Sequence, residues 1–143
     1  MSLDRVFLDY SIDRLRQHSD RIEKRLAGLT DKDLWSREKG ANAIGNLVLH
    51  LCGNVRQWIV SSVGGAPDTR VRDREFAARG DVAASELRDR LHAAVEEAIA
   101  VITAVTPERL LERVQPQNHD VTVMEAIYHV VEHFAWHTGQ IAM

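Results

Sequence analysis

Two histidines near the end of the chain, His133 and His137, are spaced for metal chelation. Four residues is just over one helical turn, so on a helix both imidazoles project from one face. A third histidine, His50, lies far upstream in an otherwise apolar stretch. If the fold brings His50 to that face, three neutral imidazoles leave one coordination position open, as in catalytic rather than structural metal sites. The pattern therefore predicts a divalent-metal site formed by His50, His133 and His137.

A line of polar residues accompanies His50. Asn46, His50 and Asn54 follow one another at i, i+4 and i+8, and so share one face of a helix that is apolar almost everywhere else. Such a line faces either a site or a hydrogen-bond network. Asn46 and Asn54 are therefore candidates for contacting a substrate or orienting a ligand histidine, and Arg56, half a turn beyond Asn54, is a third candidate.

His129 extends the histidine stripe of the last helix by one turn towards the N-terminus, among valines and large aromatic residues. A buried imidazole needs partners for its ring nitrogens, so His129 is a further candidate for the site. Residues 129–133 also match the inverted zinc-protease pattern H-x-x-E-H, in which Glu132 would act as general base. That alternative leaves His137 and the polar line unexplained. For His50 alone, a hydrogen-bonded core histidine remains the simpler alternative.

The sequence assigns no catalytic residue. No carboxylate stands four residues from a proposed ligand on the same helix face, although a hydrolase needs a base beside the metal-bound water. Asp73 and Glu75, in a charged connection, are candidates to fold over the pocket. The absence of a base on the stripe favours a site that holds a thiol as thiolate, the nucleophilic form.

The remaining reactive or aromatic side chains receive structural interpretations. We expect His18 and His92, which lie among charged residues, to be solvated, and Cys52 to be a small buried residue pointing away from His50. His119 precedes the last helix, where nothing in the sequence fixes it in a pocket. The tryptophans are expected in the core or in pocket walls: Trp35, Trp58 and Trp136.

Apolar periodicity and capping residues predict an all-α fold, a four-helix bundle. The predicted long helices run over about residues 3–27, from Asn42 or Asn46 to about Val63, from Asp81 or Ser85 to about Ile102, and from Thr122 to the end.

Turn residues define the connections between these helices. Gly28, Gly64-Gly65 and the capping pair Thr122/Glu125 are typical of helix ends. The predicted connections are a short helix opened by Thr30, a loop over 37–42, a long charged segment over 64–84, a turn begun by Thr106-Pro107, and an extended stretch over 111–121. A connection as long as 64–84 is often functional or mobile.

Bulk composition limits the function classes. A chain of 143 residues, 45% hydrophobic and 27% charged, fits a single domain over residues 1–143. A net charge of -3 gives no electrostatic reason to expect nucleic acid. A single cysteine, a charged N-terminal segment unlike a signal peptide, and no long apolar run predict a cytoplasmic protein without a membrane span.

Three motifs in this order resemble the DinB-like superfamily, and within it an uncharacterised subgroup. They are Gly-Asn-Leu-Val-Leu-His over 45–50, Gly-Asn-Val-Arg-Gln-Trp over 53–58, and His-x3-His-Thr-Gly-Gln over 133–140. The resemblance implies a four-helix bundle with up-down-down-up connectivity, in which zinc or nickel is held by His50, His133 and His137. It places His129 outside this triad. It also implies frequent dimers and relatives that use low-molecular-weight thiols, including bacillithiol-dependent transferases and a mycothiol-dependent isomerase.

The leading hypothesis is therefore a metal-dependent enzyme that transfers a low-molecular-weight thiol to an electrophilic small molecule. One alternative is a metal-dependent hydrolase. Another is a non-catalytic, metal-stabilised dimeric module for binding or stress response. Because the last helix stops six residues after His137, we also expect partner contacts or a longer natural chain to secure that end.

Overall fold

Helices account for most of the chain in the computed structural model, which describes residues 1–38 and 40–143. The helices are Leu3–Ala27 (α1), Asp31–Leu34 (α2), Ile44–Val55 (α3), Arg72–Ala77 (α4), Ala84–Thr103 (α5) and Val123–Ala142 (α6). α3 continues directly into a π-helix over Arg56–Ser61. Two short strands, Arg113–Val114 (β1) and Val121–Thr122 (β2), pair antiparallel just before α6. One 3₁₀ turn precedes β1 and another separates the two strands.

Side-chain pairs between the long helices give their relative directions. α1 and α5 run antiparallel, since Arg16 lies by Glu96 and Glu23 by His92. The second long helix, α3 with its π-helical continuation, runs parallel to α5, since Cys52 lies by Arg90 and Arg56 by Glu97. It runs antiparallel to α6, since His50 lies by His133 and Trp58 by His129. The bundle therefore has the up-down-down-up order that the resemblance implied, and the all-α prediction is confirmed.

The core is built from one apolar face of each long helix. Leu15 of α1, Leu51 of α3, Leu91 of α5 and Phe134 of α6 are each completely buried. Burial of one such side chain contributes about 1.5–3 kcal/mol. α3 is apolar nearly all round because α5 and α6 both pack against it. Among the described residues, no helix is both long and apolar enough to cross a membrane.

Several helix ends lie where the sequence predicts them. Gly28 follows α1 directly. Thr30 Oγ1 accepts a hydrogen bond from the Asp33 N–H at the start of α2. At the start of α6, Thr122 Oγ1 accepts from the Glu125 N–H and Glu125 Oε1 accepts from the Thr122 N–H. This reciprocal capping box satisfies two backbone donors that the helix itself leaves free.

The predicted N-caps of α3 and α5 are wrong. The residues at these positions are Ala43 and Ala83, which have no side-chain acceptor. The Ala43 N–H donates to the Asn46 side chain instead, and the Ala84 N–H donates to Asp31 Oδ1, 53 residues away. The second cap is a tertiary contact, which local sequence rules do not detect.

The connections also depart from expectation in places. The segment 64–83 contains α4, which the sequence did not indicate. The extended stretch predicted over 111–121 is reduced to β1 and β2, separated by a turn in which Gln117 and Asn118 have positive φ. The loop predicted over 37–42 holds at its described positions, and Lys39 lies outside the described residues. Gly65, at φ +83°, ends the second long helix as predicted.

Candidate metal centre

The antiparallel packing of α3 against α6 brings His50 to His133 and His137. The Nε2 atoms of His50 and His133 are 2.9 Å apart, and those of His133 and His137 are 3.1 Å apart. Ring planes cross at 72° to 87° in the three pairs. Three imidazoles thus direct one nitrogen each towards a common point. The spacing predicted the shared face of His133 and His137, and the packing of α3 on α6 adds His50.

This donor set fits a divalent metal. Tetrahedral zinc–imidazole geometry places neighbouring ligand nitrogens about 3.3 Å apart, close to the two short separations here. One ligand atom from each histidine lies within 4.8 Å of the others, and among the described residues no fourth histidine, cysteine or carboxylate joins the group. His129 and His119 therefore do not close the cluster, and a bound metal would keep an open position.

A carboxylate from the long connection lies behind His50. Glu75 Oε1 is 3.0 Å from His50 Nδ1. Glu75 is in turn held by Arg70, whose Nε and Nη2 donate to Oε2 and Oε1 at 2.9 Å each. Burial alone would raise the pKa of Glu75, but the hydrogen bonds from His50 and Arg70 outweigh it and keep that pKa below its ordinary value. Glu75 is thus an ionised acceptor.

The Nδ1 atoms of His133 and His137, which point away from the cluster, have different surroundings. Gln140 Oε1, an amide oxygen that only accepts, is 2.6 Å from His137 Nδ1, so the ring donates from Nδ1. His133 Nδ1 is buried and has no hydrogen-bond partner among the described residues. Hydrogen bonds at Nδ1 therefore orient the rings of His50 and His137, whereas only packing holds the ring of His133.

Protonation of the cluster is strongly disfavoured. Burial, together with the neighbouring His137 and His50, lowers the pKa of His133 to about 3. Burial also lowers the pKa of His137, against the effect of its hydrogen bond to Gln140. His133 is therefore a neutral lone-pair donor at physiological pH, as metal ligation requires.

Asn46 is buried, but it holds the connection rather than the triad. Its Nδ2 donates to the carbonyl oxygens of Glu75 and Ala78 at 2.9 and 3.0 Å. Its Oδ1 accepts from Arg37 Nη2 at 2.6 Å, and Arg37 also donates to the Phe76 carbonyl. Asn46 therefore fixes α4 on α3, beside the site.

The other two candidates on the second long helix, Asn54 and Arg56, lie in different environments. Asn54 is buried on the face that bears His50, and its Oδ1 has no partner among the described residues. Arg56 is exposed and pairs with Glu97 of α5 at 3.1 Å. The structure does not bring Arg56 to the histidine cluster.

His129 lies beside the cluster as part of an aromatic wall. Its ring stacks on Trp58 with centroids 3.9 Å apart, and Trp58 is placed by the π-helix. A pocket of about 200 Å³ borders His129, Glu132, His133 and Trp136. The rings of His129 and His133 lie stacked with centroids 5.9 Å apart, so the pair does not converge as the inverted zinc-protease pattern requires.

Some of the remaining side-chain expectations hold and others need correction. His18, expected in solvent, is 4% exposed, and burial lowers its pKa. Trp136 borders the pocket, which is one of the two positions expected for it, and is 70% exposed. Asp73, a candidate to fold over the pocket, is exposed, and Glu75, the other candidate, lies behind His50 rather than over the pocket. His92 is exposed, as expected.

Cys52 is half-buried, and burial raises the pKa of its thiol to about 12.

Arg70 is the residue of the site that the sequence analysis did not single out. Nothing in its local sequence distinguishes it from the other arginines of the connection.

Structural comparison places this fold among DinB-like proteins. A conserved protein from Enterococcus faecalis aligns with a TM-score of 0.75 and 17% identity, over 99% of this chain and 94% of its own. A DinB-like protein from Bacillus cereus aligns with a TM-score of 0.67 and 16% identity, over 87% and 81%. The mycothiol-dependent maleylpyruvate isomerase aligns with a TM-score of 0.73 and 14% identity, over 99% and 63%.

The comparisons show that the chain has the DinB-like helical-bundle fold. The family model described as mycothiol S-transferase matches residues 12–143, and the chain belongs to that family. It spans 63% of the length of the isomerase. No curated protein matches the chain in sequence.

Proposed function

We propose that this protein is a metal-dependent S-transferase that joins a low-molecular-weight thiol, in the first instance mycothiol, to an electrophilic small molecule. The observation that carries the proposal is the convergence of three histidine Nε2 atoms in a member of the mycothiol S-transferase family. His50, His133 and His137 would hold the metal, with zinc and nickel as the first candidates because imidazole suits both.

A divalent metal bound there supplies Lewis-acid chemistry, lowering the pKa of a coordinated thiol so that the thiolate predominates. As ligands the three histidines would be neutral, and the negative charge of the buried Glu75 is balanced by Arg70. In a substitution, a C–S bond forms, the carbon–leaving-group bond breaks with its electron pair, and the thiol proton passes to solvent. The pocket beside His133, walled by His129 and Trp136, would receive the electrophile.

Hydrolysis is less well supported because it needs a free base near the metal. Glu75 is the carboxylate that touches the triad, and both its oxygens are engaged, by His50 and by Arg70. The exposed Glu132 borders the pocket beside His133. A role for Glu132 as base would appear as hydrolase activity that Glu132→Gln removes.

Metal content tests the proposal first. Untagged wild-type protein, His133→Ala and the matched control His129→Ala are purified without added metal and analysed by elemental mass spectrometry. We expect about one zinc or nickel per chain in the wild type and in His129→Ala, and a loss of metal in His133→Ala.

Thiol chemistry tests it second. In cobalt-substituted protein, mycothiol is expected to change the visible spectrum, and conjugation of mycothiol to a chromogenic aryl halide is expected to require His133. A metal-free His133→Ala protein with full activity would refute the proposal. Metal binding that raises only the melting temperature, with no response to any thiol, would favour the non-catalytic module.

A further inference from the structure

The long connection between the second and third long helices places a buried ion pair, Arg70–Glu75, beside Nδ1 of the proposed ligand His50. Glu75 is 8% exposed and the Arg70 side chain 4% exposed. A buried pair is costly unless its hydrogen-bonding capacity is used. Here Arg70 makes a bidentate contact with Glu75 and donates from Nη1 to Gln57 Oε1 at 2.8 Å. Such a well-formed pair beside a ligand histidine requires an explanation.

Only one tautomer of His50 suits this arrangement. Arg70 donates to both oxygens of Glu75, so the carboxylate is an acceptor and the 3.0 Å contact from Oε1 requires a proton on His50 Nδ1. In the other tautomer the Nδ1 lone pair would face the carboxylate oxygen. Arg70 Nη2, 3.2 Å from Nδ1, is then a second donor that shares the Glu75 oxygen rather than a partner of the ring. The Nε2 lone pair of His50 is therefore directed at His133.

Gly53 makes room for this contact. It lies on α3 three residues after His50, and a Cβ built on it would collide with Glu75 Oε2 and lie 3.0 Å from Arg70 Nε. Any side chain at position 53 would push the carboxylate away from the imidazole. The backbone of α4 is held separately, because Asn46 Nδ2 donates to the carbonyls of Glu75 and Ala78. Placement of the carboxylate thus depends on residue 53, and placement of the backbone depends on residue 46.

We infer that Glu75 is a positioning residue, which together with Arg70 and Gly53 fixes His50 in the Nδ1–H tautomer and so prepares its Nε2 to bind metal. The inference rests on the proposed function for the identity of the bound group. It assigns the 64–83 connection a part in the site, since displacement of α4 releases His50 from its acceptor. Ligand-orienting groups of this kind are typically worth ten- to a hundredfold in metal affinity.

Two matched pairs of variants test the inference. Glu75→Gln keeps the shape of the side chain and removes its charge, and Glu132→Gln is its control on an exposed carboxylate next to His133. Gly53→Ala displaces Glu75 without touching a histidine. Its control is Gly139→Ala on α6, where an added Cβ meets no atom within 4 Å. Circular dichroism and thermal unfolding establish that each variant is folded.

The first readout is zinc affinity by competition with a chromogenic chelator. We expect Glu75→Gln and Gly53→Ala to bind zinc about ten- to a hundredfold more weakly, and both controls to bind as the wild type does. Full zinc affinity in folded Glu75→Gln would overturn the inference.

The second readout is the tautomer of His50 in metal-free protein, from ¹⁵N chemical shifts of the imidazole nitrogens. The wild type is expected to carry the proton on Nδ1, and the two test variants to show a mixture. A wild-type ring protonated on Nε2 alone would overturn the inference. If the wild type binds no metal, the proposed function fails, whereas the tautomer measurement still decides the role of Glu75.

Discussion

Acid should destabilise the metal-free protein through His133. The pKa of His133 is about 3 in the fold, against an ordinary value of 6.5. Between these values the unfolded chain binds a proton that the folded protein does not, so the free energy of unfolding falls as pH decreases. The stabilising contribution is complete above about pH 6.5 and is lost progressively towards pH 3.

The magnitude follows from linkage. Protonation of one histidine in the unfolded state lowers the free energy of unfolding by up to about 1.4 kcal/mol between pH 7.5 and 5.5. Any folded-state pKa well below 5.5 gives the same loss over this interval. His133 is partly exposed, so solvent screening makes this figure an upper value. Burial lowers the pKa values of His137 and His129 as well, which adds to the loss in the same direction.

Urea unfolding in the presence of a chelator, at pH 7.5 and 5.5, measures this loss. Wild type is compared with His133→Gln and with His119→Gln, a control in an exposed turn. We expect the loss to be smaller by about 1 kcal/mol in His133→Gln than in the other two proteins. Equal losses in all three would refute the idea that the neutral state of His133 is imposed by the fold.

Three further predictions concern stability, each measured by urea unfolding at pH 7.5. Thr122→Ala removes half of the α6 capping box and should cost about 1 kcal/mol, whereas Thr106→Ala, which loses no side-chain cap, should cost little. Leu51→Ala opens a cavity in the core, where Leu51 is completely buried, and should cost about 2–5 kcal/mol, but the exposed Leu111→Ala should be nearly neutral. Gly65→Ala places a Cβ at φ +83° and should cost about 1–2 kcal/mol, with Gly65→Asn costing less because asparagine tolerates this region. A neutral Thr122→Ala, Leu51→Ala or Gly65→Ala would contradict the corresponding argument.

The long helices were predictable because their signals are local. Apolar residues recur with the helical period on α1 and α5, and Gly28 and Thr122 mark ends that depend on neighbours within one turn. Where a cap comes from elsewhere in the chain, as Asp31 does for α5, the prediction fails. α4 was missed because six residues with one buried side chain give no periodic pattern.

His18 and Trp136 show the same limit for single residues. His18 lies among charged neighbours in sequence, yet α1 turns it towards the interior of the bundle, where it is buried. Trp136 is bulky and apolar, yet it borders the pocket with 70% of its surface exposed. Exposure depends on which helix faces meet, and composition along one helix does not state that.

The sequence by itself determined the four long helices, the shared face of His133 and His137, and the anomaly of His50 on an apolar helix, because each depends on spacing within one element. Tertiary structure alone decided that His50 meets the pair across the α3–α6 contact and that Glu75 rather than Asp73 lies behind it. It also decided that Arg70 holds that carboxylate and that Gly53 leaves room for it. These contacts join residues that are distant along the chain or lie in an irregular connection, and only packing fixes their distances.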